Sequence, residues 1–421
     1  MRTHSRASSV NPYENPDLWR WAGGMEGVPE WIDPGETVEE REGRVAWQEQ
    51  GHERFSLLGA LLPGITIAVA LAWFGRLVSQ GIGSGLLGLE KSPISPILVA
   101  ILVGLLIRNT IGLPSVYEAG LRFGLQRVLR IGVALLGIRL SLLTVGVIGL
   151  AALPVVIACI ATALLLVSGI TRVLGLPRRL GTLIAVGTAI CGNTAIVATA
   201  PVIGADEDET SYAVGTITVF GLLALVVYPF LAHSLFDGDA ALAGTFLGTA
   251  IHDTAQVAGA GLLYMQQYAS PEALDTATVT KLMRNLFMIA VIPLMAFMYH
   301  AEAADERPTG ERPSIRSMIP GFVFGFIAMA FLRTIGDLGD APFAGLITAE
   351  TWSGVIRFVS TLSAWSLTIA MAAVGLGTNL KRLRSLGLRP LAAGLVAALS
   401  VGVVSAVLVR IVVPFMHEVL S

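Results

Sequence analysis

Apolar runs of about 20 residues recur from Phe55 nearly to the C-terminus, each long enough to span the roughly 30 Å hydrocarbon layer as a helix. They fall at roughly 55–75, 94–107, 128–146, 149–170, 181–204, 212–236, 242–264, 282–299, 318–334, 354–378 and 388–413. Such a chain is expected to be an all-α, polytopic transmembrane helix bundle of about 10–11 spans. Composition agrees. Charged residues make up 14% of the chain, whereas soluble domains carry about 25%. The 28 basic and 30 acidic side chains leave a net charge of −2, which offers no basic footprint for nucleic acid. Cys159 and Cys191 both sit in apolar stretches, so no disulfide framework is implied.

Residues 1–54 differ from everything that follows. They hold six Arg against eleven Asp or Glu, together with Trp19, Trp21, Trp31 and Trp47. This acidic, Trp-bearing stretch reads as a cytoplasmic N-terminal extension: a solvated tail with short helices, or a segment for regulation or partner binding. Its basic residues are followed by no apolar core, so a cleaved secretory signal is not expected. Residues 55–421 read as the membrane domain.

Lys and Arg accumulate in short cytoplasmic loops. Arg172, Arg178 and Arg179, and the run Lys381, Arg382, Arg384 and Arg389, are therefore expected inside. Asp206, Glu207, Asp208 and Glu209 form a loop without a basic residue, which suits the outside. Eleven straight crossings satisfy all three assignments, with the N-terminus in the cytoplasm of a multi-pass cell-membrane protein.

The chain contains an internal echo. Residues 187–198 read GTAICGNTAIVA and residues 248–258 read GTAIHDTAQVA, identical at eight positions with one gap. A weaker echo links ALLGIRLSL at 134–142 to AAVGLGTNL at 372–380. Matched interruptions of this kind point to a transporter's substrate site. Eleven straight crossings make the first pair parallel and the second antiparallel, so no simple inverted repeat emerges.

Both copies of the first echo interrupt an apolar run with small and polar residues: Gly192, Asn193 and Thr194 in one, His252, Asp253 and Thr254 in the other. A broken helix survives at membrane depth only inside protein or beside a water-filled cavity. Its new N-terminal end carries free N–H groups and about half a positive charge, a ready site for an anion. The competing explanation is that small residues there merely allow close helix packing. Asp253 is the one carboxylate expected at mid-membrane, where an ionisable residue costs about 2.5–3.5 kcal/mol on insertion scales. His252 beside it is of the type that titrates near neutral pH. Arg284 and Asn285 are expected to add charge and hydrogen bonding near the cavity, although Lys281 one turn away also suits Arg284 to an interfacial anchor. Arg127 and Arg130 are expected near a cytoplasmic helix end, and Arg139 as a cap.

Other chemistries find no support. No Walker loop is present, so direct ATP coupling is not expected. His252, Asp253 and Cys191 match no familiar metal spacing, and no serine nucleophile elbow accompanies the histidines. No cofactor or enzymatic activity is expected. Trp73, Trp352 and Trp365 suit an interfacial belt.

Taken in order, ALLGIRLSL, GTAICGNTAIVATAPVIGADEDETSYAV, GTAIHDTAQVAGAG and TVTKLMRNLFMIAVIPL resemble the YeiH-like family, labelled sulfate exporters. The likeness covers roughly residues 55–415; the N-terminal extension departs from it. The resemblance implies a fold like the cation/proton antiporter and anion transporter superfamily: a core domain with two broken, crossing helices moving against a panel domain. The expected function is secondary transport, exporting or exchanging a small anion such as sulfate or a sulfur-containing organic anion. Gly192, Asn193, Thr194, His252, Asp253, Thr254, Arg284 and Asn285 would form the binding site, with Asp253 coupling to protons or sodium. A cation/proton antiporter using Asn193 and Asp253 is the nearest alternative, and a membrane sensor or scaffold the next. The expected partners are the anion, the coupling ion and the bilayer, with a homo-oligomer left open.

Overall fold

The computed structural model describes residues 38–82, 92, 94–300, 320–339, 341–379 and 388–420. Trp19, Trp21, Trp31, Lys381, Arg382 and Arg384 lie outside these residues, as does the extension up to residue 37. Among the described residues the chain is helical, without strands. The compact unit beginning at Gly59 is described by itself.

Helix α1 (Val38–Gln80) contributes the apolar span Gly59–Gln80. Next come α2 (Pro96–Thr110), α3 (118–139, with a π turn at Gly124–Val128) and α4 (Leu142–Val173). A pair of short helices follows, α5 (Arg178–Ala189) and α6 (Asn193–Ile203), then the long α7 (Glu207–Leu235). A second short pair, α8 (Ala240–Ala250) and α9 (Thr254–Tyr268), precedes α10 (Pro271–Leu286) and its continuation α11 (Met288–His300). The chain closes with α12 (Gly321–Gly336), α13 (Ala349–Gly377) and α14 (Leu388–Leu420).

Local chemistry sets the starts. Ser95 accepts the Leu98 N–H with Pro96 in the first turn of α2, and Ser141 accepts the Thr144 N–H to begin α4. Asp206 and Glu209 form a reciprocal capping box at the head of α7. Because Ser141 starts a helix, the apolar run expected at 128–146 divides there. Helix α3 begins ten residues earlier than expected, since Glu118, Arg122, Gln126 and Arg127 lower the hydropathy of a stretch that is helical nonetheless.

The short pairs do not cross the bundle. A Cβ on Gly204, after α6, would stand 3.7 Å from Arg179 Nη2 at the start of α5. On the other pair, the His233 ring at the end of α7 stacks on Tyr268 at the end of α9, with centroids 3.7 Å apart. It also lies 3.2 Å from a Cβ on Gly238, just before α8. Each pair is thus a hairpin, one entering from the Arg178 end of the bundle and the other from the Asp237 end. Contacts of α14 fix the two ends independently. Arg410 donates to the Leu235 carbonyl at 2.7 Å, while Arg389 near the other end of α14 lies 4.0 Å from a Cβ on Gly175.

Eleven straight crossings therefore give way to a bundle in which two of the expected segments turn back halfway; among the described residues six helices are long and apolar enough to cross a membrane. The runs 181–204 and 242–264 have length and hydropathy enough to cross, and neither property records the reversal. Two expectations change with it. Asp206–Glu209 lies at the same end as Arg178 and Arg179, not opposite them. The two echo copies enter from opposite ends, so they are inverted with respect to one another.

Packing sorts the helices into two modules: α4, both hairpins, α7, α10, α11 and α14 in one, and α1, α2, α3, α12 and α13 in the other. Close approaches hold each together. In α8, Cβ atoms on Gly244 and Gly248 would stand 2.6 and 2.7 Å from Thr276 and Thr280 Cβ of α10. In the second module a Cβ on Gly104 of α2 would stand 2.9 Å from the Leu376 nitrogen of α13. Small residues at these positions let helices without a hydrophobic driving force between them approach to backbone contact.

Candidate functional site

The hairpin tips meet beside the last turn of α10. Helix α5 ends at Ala189 and α8 at Ala250, so their terminal carbonyls have no partner within the helix. Two cations on one face of α10 take them. Arg284 donates from Nε to the Ala189 carbonyl at 2.6 Å, from Nη2 to Thr188, and from Nη1 to Thr249 at 2.6 Å. Lys281 donates to the Ile190 carbonyl at 2.8 Å, to Ile251 at 2.9 Å, and to His252. The echo is visible in these bonds: Thr188 and Thr249 are equivalent in sequence and share Arg284, while Ile190 and Ile251 are equivalent and share Lys281. Positive charge at the negative ends of two helices is favourable, and burial makes such partners obligatory. Both side chains are buried, Arg284 at 0% and Lys281 at 1% exposure.

The opposite, N-terminal ends of α6 and α9 converge on Asp253. Its Oδ1 accepts the Ala255 N–H at 2.8 Å, capping its own helix. The carboxylate also lies against the head of α6, so one side chain stands at both hairpin tips. Gly192 makes room for it. That residue has φ +67°, and a Cβ there would stand 2.9 Å from Asp253 Oδ2. Around this junction Asn193 exchanges hydrogen bonds with Thr218 of α7 at 3.2 and 3.4 Å. Gln256 donates to the Thr218 carbonyl at 3.2 Å, and Asn285 donates to Thr254 Oγ1 at 3.2 Å.

A cavity of about 770 Å³ reaches this junction along the seam between the modules. Asn193, Thr194, Asp253, Thr254 and Asn285 line it, with Arg108 and Asn379 toward the Arg178 end. Five of the eight expected site residues are thereby brought to one surface. Gly192, His252 and Arg284 are not on it. Arg284, expected at the cavity or the interface, lies behind the tips because the carbonyls of α5 and α8 claim its donors. His252 is fully buried, and neither ring nitrogen has a hydrogen-bond partner among the described residues. Its contribution to the junction is its backbone carbonyl, which Lys281 takes.

Several participants escaped the sequence reading. Lys281 entered it only as the neighbour that suits Arg284 to an interfacial anchor. Arg130, expected near a helix end, lines the cavity from partway along α3. Arg139 pairs with Asp275 of α10 through Nε–Oδ1 at 2.9 Å and Nη2–Oδ2 at 3.1 Å, tying the modules together at the Asp237 end. Trp352, expected in a belt, is buried with Nε1 donating to Asp337 at 2.8 Å, and Trp365 lies beneath Arg76 at 5.4 Å. The signal for Lys281 and Arg284 was their three-residue spacing, which puts both on one helix face.

A family model described as Conserved hypothetical protein 698 matches residues 63–394. A UPF0324 membrane protein of Fusobacterium nucleatum is 31% identical over 323 residues, covering 75% of this chain and 90% of its own length. One from Streptococcus pyogenes serotype M18 is 32% identical over 348 residues, 82% of this chain and 95% of its own. The UPF0324 membrane protein TauZ of Paracoccus pantotrophus is 31% identical over 334 residues, 79% and 89% of the two chains. No solved structure matches.

Proposed function

We propose, starting from the fact that this chain belongs to the UPF0324 family of membrane proteins, that it is a secondary transporter of a small anion. The anion would move along the seam between the two modules, coupled to protons or sodium through Asp253. One observation carries this reading. Two cavities lie on the seam, and among the described residues they are lined by five arginines, Arg76, Arg108, Arg130, Arg139 and Arg357, against a single lining carboxylate, Asp253; Glu118 and Asp275 pair with Arg108 and Arg139 from outside the lining, which leaves Arg76, Arg130 and Arg357 in excess. A path with that balance favours anions by Coulombic attraction in a medium of low dielectric.

Asp253 supplies the coupling. Its carboxylate already occupies the electropositive head of α6, where an incoming anion would be drawn. Charged, it repels that anion; neutralised by a proton or a bound sodium ion, it gives way. Anion and cation then bind together at the junction, and the arginines at each mouth supply or receive the anion. Sulfate or a sulfur-containing organic anion fits the site's polar groups: the Thr194 and Thr254 hydroxyls and the Asn193 and Asn285 amides.

The Arg178 end would face the cytoplasm of a cell membrane. The described helix ends that flank 301–319 and 380–387 lie at that end, and in sequence those stretches contain Arg307, Arg312, Arg316, Lys381, Arg382 and Arg384. Of those at the other end only 81–95 holds a basic residue, Lys91. A cation/proton antiporter is the second reading, favoured by the approach of the Asp253 carboxylate to Asn193. Flux into proteoliposomes separates the two. Labelled sulfate or an alkanesulfonate entering on a pH or sodium gradient supports the first; proton movement driven by sodium without any anion supports the second.

A further inference from the structure

The seam has a second cavity, of about 560 Å³, at the Asp237 end. Its walls come from α1, α2, α3, α9 and α13, so both modules contribute. Three guanidinium groups line it and, among the described residues, no carboxylate does. Arg139 is neutralised from behind by Asp275. Arg76 is held over the Trp365 ring, which orients the guanidinium and leaves its charge intact. Arg357 has no acidic partner among the described residues. Ser360, Thr361 and Gln266 also line it, together with the apolar Ala364 and Met265.

We infer that this cavity is a second anion-binding site, formed by Arg76 and Arg357, for an organic oxyanion with a short apolar part. It rests on the reading of the chain as an anion transporter, of which it would be the opposite-end vestibule. Two unneutralised guanidiniums present planar donors that match a sulfonate, sulfate or carboxylate. The volume lies within the range of small-molecule sites, well beyond what a bare tetrahedral ion fills. The apolar part of the lining suits a hydrocarbon segment. Arg139 stands at the back of the same cavity, so an anion seated there competes with Asp275 for its donors. Occupancy would thereby loosen the one ion pair seen between the modules among the described residues.

Thiol protection in the full-length protein tests this. A variant carrying Cys159→Ser, Cys191→Ala and Ser360→Cys, or Thr361→Cys where Ser360→Cys reacts slowly, is reconstituted in phosphatidylcholine nanodiscs. Its reaction with a charged methanethiosulfonate is then timed. Ethanesulfonate is expected to slow labelling saturably by about tenfold and sulfate to do so less, with protection lost in Arg76→Gln/Arg357→Gln. Unchanged labelling rates, or protection that persists without both arginines, would overturn the site. Protection produced by phosphatidylglycerol and not reversed by ethanesulfonate would also overturn it, assigning the arginines to a lipid phosphate. Adding Asp253→Asn separates this from the function proposed above: protection should survive that change even where driven transport fails.

Discussion

Arg284 Nε donates to the carbonyl of Ala189 at 2.6 Å, joining residues 95 positions apart in the chain. With Lys281 it converts two truncated helix ends, which would otherwise leave carbonyls bare in a low-dielectric interior, into a fixed junction. The role is architectural: these cations hold the tips so that the opposite helix ends can face the cavity.

Arg284→Ala should therefore act on folding before it acts on binding. Each buried carbonyl left unpaired costs about 1–3 kcal/mol, so the loss should reach several kcal/mol. Thermal unfolding in detergent should show a large drop in Tm, with Arg284→Lys intermediate. A variant of unchanged Tm that merely binds anion weakly would return Arg284 to the cavity.

Gly192→Ala tests the approach of Asp253 to the other hairpin. The substitution meets both a positive φ, worth about 1–3 kcal/mol of strain in a non-glycine residue, and the Asp253 carboxylate. Expression with impaired transport is expected. Full activity in Gly192→Ala would mean that Asp253 does not need to approach α6.

The hairpins make a distinctive prediction about sidedness. In a cysteine-free background, Asp237→Cys should react with an impermeant thiol reagent from outside intact cells, and Asp208→Cys should not. Straight crossings in place of hairpins would put the two positions on opposite sides as well, but with the pattern reversed. Outside labelling of Asp208→Cys would therefore remove either the hairpins or the orientation.

Arg139 and Asp275 should behave as a clasp between modules. Arg139→Gln or Asp275→Asn alone leaves a charge with its partner gone, whereas the double variant removes both charges. Faster labelling of Thr368→Cys from the Asp237 end is expected in the single variants. Equal rates in all forms would show that the pair does not hold that end closed.

Helical spans were legible because apolar length is written directly in composition, and the breaks were legible because Gly192, Asn193, His252 and Asp253 interrupt it. Direction was not. A run that turns back at Gly192 has the same hydropathy as one that continues, and only tertiary contacts such as Gly204 with Arg179 reveal the reversal. The mistake then spread to the acidic loop at Asp206 and hid the inverted relation of the echo. Asn193, Thr194, Asp253, Thr254 and Asn285, singled out by polarity at depth, line one cavity. Arg284 and His252 satisfied the same criterion yet face backbone or apolar surroundings, because a polar residue within a span can serve a helix end as well as a cavity.

Asp253→Asn gives the most direct test of coupling through the junction. Asparagine retains an oxygen for the Ala255 cap while imitating the neutral carboxyl. In proteoliposomes loaded for counterflow, wild type and Asp253→Asn should both exchange labelled sulfate or ethanesulfonate, whichever the wild type carries. With an imposed pH or sodium gradient, the wild type should accumulate it and the variant should not. Undiminished accumulation by Asp253→Asn would contradict the account and leave Asp253 a helix cap.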